Sequence, residues 1–172
     1  MCEICDGKTY EQARREMFAR IAEHDYTKVS VRGEEEGDVI HPGVTYSVGL
    51  WAVHSAPELI VVGARGHAYE VVDAYARRVV SGERFRSGRL YRSFFGGVPA
   101  LLQEVDRNQY DEWLCSAFQL YPDGDFPVLQ LVWPNCYGSW PWEPGWEHCE
   151  PQPVLTATGM PDVDLPLPRR AG

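Results

Sequence analysis

Two cysteines three positions apart, Cys2 and Cys5 in "MCEICDG", carry the sharpest chemical signal in the chain. A Cys-x-x-Cys pair can fill two of the four tetrahedral positions around zinc, and it also suits an iron site. Completing such a site needs two more ligands. Cys136, His148, Cys149, His24 and His41 are the candidates. A redox pair is a second reading, but it wants a helix beginning just after the first cysteine. Here the helix signal starts about four residues beyond Cys5. Two ordinary thiols near a terminus are the third reading.

A second group lies in "TYSVGLWAVHSAPELIVVG". Tyr46, His54 and Glu58 could line the mouth of a pocket and bind a ligand or move a proton, which makes them the catalytic candidates. Ser47 beside them has no nucleophile elbow around it, so a Ser–His–acid triad is not expected. A third group is "VVGARGHAYE", where Gly63 and Gly66 bracket a strand-to-helix turn. Such a turn presents backbone N–H groups to an anion, and Arg65 could add a charge-assisted bond. It matches neither the dinucleotide fingerprint nor the phosphate-binding loop of nucleotide hydrolases.

The fourth group is "LQLVWPNCYGSWPWEPGW". Trp133, Trp140, Trp142 and Trp146 account for four of the six tryptophans, in a stretch broken by proline and glycine. Four solvated indoles would form a large sticky patch, so the segment should fold back and seal one end of the core. A sharper version has Trp133, Trp140 and Trp142 walling a small-molecule pocket, with Gln130 as a polar contact.

These residues need elements to hold them. Thr9 and Gln12 have capping-box spacing, and Tyr10, Ala13, Met17 and Ile21 then share a helix face that should end near Asp25. "YTKVSVR", "VTYSVGL", "ELIVVG", "RLYRSFF", "ALLQEV" and "FPVLQLVW" read as strands. "GEEEGDVIHPG" reads as an acidic loop, and "WAVHSAP" as another. "HAYEVVDAYARRVVSG" is a second helix with Tyr69, Val72, Tyr75, Ala76 and Val79 inward. "NQYDEWLCSAF" is a third, with Asn108 as N-cap and Cys115 as a small core residue. The expected fold is α+β: one mixed or antiparallel sheet of five to six strands, about three helices, and an irregular Pro/Trp-rich C-terminal arm. Residues 1–155 should form a single domain, with 156–172 a partly disordered tail.

Composition limits the function. Among 172 residues, Asp and Glu number 25 against 16 Lys and Arg, for a net charge of −9. Duplex binding needs a basic footprint, so nucleic acid is not an expected partner. Residues 65–92 are the exception, with seven arginines against three acids. There is no leader-like segment and no run of the ~20 apolar residues that a membrane span requires, so neither membrane nor export is expected. The five cysteines should then be mostly thiols in a cytoplasmic protein. Oligomeric state is not readable.

Three separated motifs also carry a resemblance. "MCEICDG", "TYSVGL…HSAPELIVVG" and "FPVLQLVWPNCYGSWPWEPG…QP" together resemble the bacterial family catalogued as domain of unknown function 4262. The likeness spans roughly residues 2–155 and implies the domain's extent but no reaction. Ser47 stands where the pattern usually has Thr, and Asn135 where it usually has Asp. Function is therefore expected to be an enzyme or accessory protein of small-molecule metabolism with a cysteine-bound zinc or iron. The alternative is a non-catalytic ligand-binding or protein-interaction module.

Overall fold

The computed structural model describes residues 7–64, 66–144, 146 and 150–162. The first helix, α1 (Tyr10–His24), forms where local chemistry dictates. The Thr9 hydroxyl accepts from Gln12 N at 3.2 Å, and the Gln12 side chain accepts from Thr9 N at 2.9 Å. Asp25 ends the helix in a left-handed conformation with φ 69°, returning its N–H to Ile21 O at 2.8 Å. Ala13, Met17 and Ile21 are the buried positions.

Six strands make one mixed sheet: β1 (Thr27–Val31), β4 (Val44–Val48), β5 (Glu58–Val62), β6 (Arg89–Phe95), β7 (Val98–Glu104) and β8 (Val128–Val132). Their order across the sheet is β1-β4-β5-β8-β7-β6. All neighbours are antiparallel except β5 and β8, which run parallel. That pair needs the long crossover through helix α3 (Ala68–Val80) and the β6–β7 hairpin. Strands β4, β5 and β8 are buried along their whole length, as central strands covered on both faces must be.

Each face has its own core. On one face α3 lays Val72, Tyr75, Ala76 and Val79 onto Leu59, Val61, Ala100, Leu102, Leu129 and Leu131. On the other, Met17 and Ile21 of α1 join Tyr110, Leu114, Ala117, Tyr121 and Phe126 over Tyr46, Val48, Ile60 and Val128. The arm beyond β8 extends that second layer, where Trp140 and Val154 cover Leu101 and Val132.

Six local expectations need correction. The acidic "loop" forms a separate two-stranded hairpin, β2 (Glu34–Glu36) and β3 (Val39–His41), turning at Gly37 with φ 59°. The segment 50–54 is a short helix, α2 (Leu50–His54). Tyr69 lies at the exposed start of α3, beneath Lys28, whose Nζ sits 4.0 Å from the ring centroid. The third helix shrinks to α4 (Tyr110–Trp113) between 3₁₀ turns at Arg107–Gln109 and Cys115–Gln119. The cap lies earlier than the expected Asn108: Asp106 caps the first 3₁₀ turn, accepting from Asn108 N at 2.8 Å, and the residue before α4, Gln109, makes no side-chain cap bond. Tyr110, Leu114 and Ala117 take the inward side, so Cys115, one residue past Leu114, is turned out and exposed. Among the described residues no helix is long and apolar enough to cross a membrane.

Candidate functional site

Glu58 opens β5 fully buried, and its carboxylate is an acceptor for four donors. Ser47 Oγ donates at 2.6 Å, Tyr121 OH at 2.6 Å, Gly49 N at 2.8 Å and Trp51 N at 3.1 Å. Gly49 begins α2 without a side chain to cap it. Glu58 supplies from a neighbouring strand what an N-cap side chain would supply locally. Ser47 Oγ in turn accepts from Leu59 N at 2.9 Å, locking β4 to β5. Burial pushes the Glu58 pKa up, and the four donors oppose it. The Tyr121 hydroxyl is pushed up by burial and by the Glu58 charge.

The other two residues read with it go elsewhere. The Tyr46 hydroxyl accepts from Ser116 N at 3.2 Å, and the ring is buried under the 3₁₀ turn. His54 meets Asp25 at 3.1 Å, at the end of α1. Among the described residues, Tyr46, His54 and Glu58 thus hydrogen-bond to different partners.

The late motif is likewise a set of ties. Gln130 on β8 donates to Pro153 O and accepts from Leu155 N, both at 2.7 Å. Gln103, opposite it on β7, pairs in the same two-way fashion with Asp162, and Gln152 with the backbone of Trp133. A primary amide carries a donor and an acceptor side by side, so each glutamine can stand in for a strand neighbour where the arm has no regular structure. Trp133 is buried against Phe95, with ring centroids 5.0 Å apart, and half-buried Trp142 stacks on Trp140 at 5.1 Å. Asn135 Oδ1 accepts from Tyr137 N and Ser139 N, a turn-forming role that an Asp oxygen fills equally well.

An open cleft of about 570 Å³ lies at the third group, beside the turn from β5 into α3. Gly63, Ala64, Gly66 and Ala68 form one wall, and Arg32, Gly33 and Glu35 the opposite one. Gly43, Val44, Thr45 and Glu150 close the floor. The backbone there is unusual. Gly63, Ala64 and Gly66 all have positive φ, at 79°, 60° and 82°. For Ala64 this is a sparsely populated conformation held by its surroundings. Chain segments crowd the floor: a Cβ on Gly33 would sit 2.6 Å from Gly43 N and from His41 O. Glu150, only 4% exposed, reaches from the arm to accept from Gly43 N at 2.8 Å. Sequence reasoning found the turn here but missed Arg32, Thr45 and Glu150. Only the folding-back of the arm brings Glu150 to a site more than a hundred positions away.

A second cleft of about 480 Å³ between α1 and α3 includes Arg20, His24, Tyr26 and Lys28. The basic side chains in and beside it already face carboxylates. Lys28 and Arg77 both pair with Asp73, Arg20 lies 3.5 Å from Glu16, and His24 lies 3.7 Å from Glu23. Burial and the hydrogen bond to Asp73 push the Tyr26 hydroxyl up to about 12.

Cys2, Cys5, Arg65, His148 and Cys149 lie outside the described residues. Among the described residues, no group of three or more His, Cys, Asp or Glu side chains could hold a metal ion.

The architecture is an α+β domain with a six-stranded mixed sheet and a cleft at the turn into its longest crossover helix. The chain belongs to the family described as domain of unknown function (DUF4262), whose model matches residues 20–147. Cys2 and Cys5 precede that stretch, while Glu58, Gln130 and most of the cleft fall within it. No curated protein and no solved structure matches the chain.

Proposed function

We propose that this protein is a non-catalytic binding module for a small polar molecule, seated in the cleft between the β2–β3 hairpin and the turn into α3. The observation that carries this reading is the cleft itself. Its volume of about 570 Å³ falls within the range of ligand sites, and its lining combines Arg32, Glu35, Thr45 and the buried Glu150 with the exposed backbone of Gly66. Charges of both signs suit a ligand that carries both hydrogen-bond donors and acceptors. The binding reading is favoured over a catalytic one because Tyr46, His54 and Glu58 each hydrogen-bond to a different structural partner. The expected compartment is the cytoplasm.

A thermal-shift screen of small polar metabolites tests this reading, using wild-type protein beside Arg32→Ala and Glu150→Gln. The expected result is at least one compound that raises the melting temperature of the wild type and loses its effect in one of the variants, since a ligand that binds only the folded state stabilises it. A compound that stabilises all three proteins equally would place binding elsewhere.

A second reading keeps an accessory or enzymatic role with zinc or iron held by Cys2 and Cys5. It rests on their spacing in a reducing compartment. Metal analysis of untagged protein tests it.

A further inference from the structure

The β2–β3 hairpin has two faces, and the cleft uses one of them. Glu35 pairs opposite Ile40, while Glu34 and Glu36 pair opposite His41 and Val39. Side chains alternate across a strand. Because Glu35 lines the cleft, Glu34, Glu36, Val39 and His41 belong to the other face. All six strand residues are exposed, Val39 by 55%. With Asp38 in the turn, the outward side carries three carboxylates. Among the described residues none of Glu34, Glu36 and Asp38 forms an ion pair. A lone two-stranded hairpin is marginal in water unless something covers it.

The far edge of the sheet has the opposite character. Arg84 and Arg86 lie in the connection before β6, and Arg89 and Arg92 lie on β6; all four are exposed. Arg84 donates to the carbonyls of Val79, Glu83 and His54, and Arg92 to that of Gly97. The nearby acid, Glu83, is bonded in two-pronged fashion by Arg78. Among the described residues none of the four arginines meets a carboxylate. Strand β6 pairs with β7 alone, so its other edge is open. On that strand Leu90 is 40% exposed.

We propose that the outward face of the hairpin in one copy docks on the arginine-bearing β6 edge of a second copy. The two surfaces complement each other in charge, three carboxylates against four guanidinium groups. The partner is a second copy because this chain itself carries both halves of the match. The two patches are different surfaces of one molecule, so the contact is head-to-tail and builds a ring or an open chain. Contacts made mainly by rim charges are weak and screened by salt.

Sedimentation velocity of the full chain over a concentration series tests this. The expected result is association at about 50 mM salt that weakens roughly tenfold or more at about 500 mM. Glu34→Lys with Glu36→Lys should abolish self-association, and so should Arg86→Glu with Arg89→Glu. Mixing the two double variants should restore it, because each then offers the complement of the other. All four sites are exposed, and unchanged melting temperatures would confirm that the fold is kept. A monomer at every salt and concentration overturns the proposal. So does association that survives both double variants, or a mixture that stays monomeric.

Discussion

Replacing Glu58 separates a structural role from a catalytic one at the centre of the "TYSVGL…PEL" motif. In Glu58→Ala, the Ser47 and Tyr121 hydroxyls and the Trp51 amide lose their acceptor, while Gly49 N keeps Tyr121 OH at 3.2 Å. Each buried donor left without a partner costs about 1–3 kcal/mol, and relief of carboxylate burial returns part of that. A net loss of roughly 3 kcal/mol is expected, a large share of the ~5–15 kcal/mol that holds a domain together. Glu58→Gln keeps one oxygen toward Gly49, Trp51 and Tyr121 and turns its NH₂ toward Ser47 Oγ, which can accept instead of donate. Its cost at neutral pH should be about 1 kcal/mol. Urea unfolding at several pH values measures both. Burial raises the folded-state pKa of Glu58 above the ordinary 4.5, so folding favours its protonated form. Its contribution to stability therefore declines as pH rises from 4.5 through the folded value. The advantage of Glu over Gln should accordingly shrink toward alkaline pH. A loss below 1 kcal/mol in Glu58→Ala, or an advantage that grows with pH, would refute the reasoning.

Trp140, 3% exposed over Leu101 and Val132, should cost about 3–5 kcal/mol when changed to Ala, read as a fall in the urea midpoint with an unchanged slope; a drop below 1 kcal/mol would mean the arm does not seal the core. Although burial pushes Asp73 up, the hydrogen bonds from Lys28 and Tyr26 and the charges of Lys28 and Arg77 outweigh it and hold the carboxyl below its ordinary 3.8. Its stabilisation is then complete above 3.8 and lost as pH falls through the folded value, so Asp73→Asn should flatten the acid limb of the stability profile. If Cys2 and Cys5 hold zinc or iron, untagged protein should contain about one equivalent, and Cys5→Ser should remove it. Metal below a tenth of an equivalent, with both thiols titrating freely, would sink that reading.

Local chemistry was legible in the sequence, and chemistry assembled from distant residues was not. The capping box at Thr9 and Gln12 and the left-handed stop at Asp25 involve residues within one turn of each other, so α1 could be read almost to the residue. Helix α2 could not, because its cap, Glu58, comes from the next strand. The β2–β3 hairpin escaped notice because three consecutive glutamates give no apolar alternation. Trp133 and Trp140 are buried as their bulk and setting suggested, but the devices that hold the arm are glutamine amides, which periodicity does not reveal. For the cleft, Gly63 and Gly66 marked the turn. Arg32, Thr45 and Glu150 come from three other parts of the chain, and nothing in their spacing connects them.

The central claim is that the cleft between the hairpin and α3 binds a small polar molecule. Amide chemical-shift mapping of ¹⁵N-labelled protein, titrated with a compound that emerges from the thermal screen, tests it most directly. The account predicts saturable shifts at Gly33, Gly43, Thr45, Gly63 and Gly66, with Trp140 and the Glu58 cluster nearly unmoved. Saturable shifts confined to the tryptophan arm or to the neighbourhood of His54 and Glu58 would contradict it.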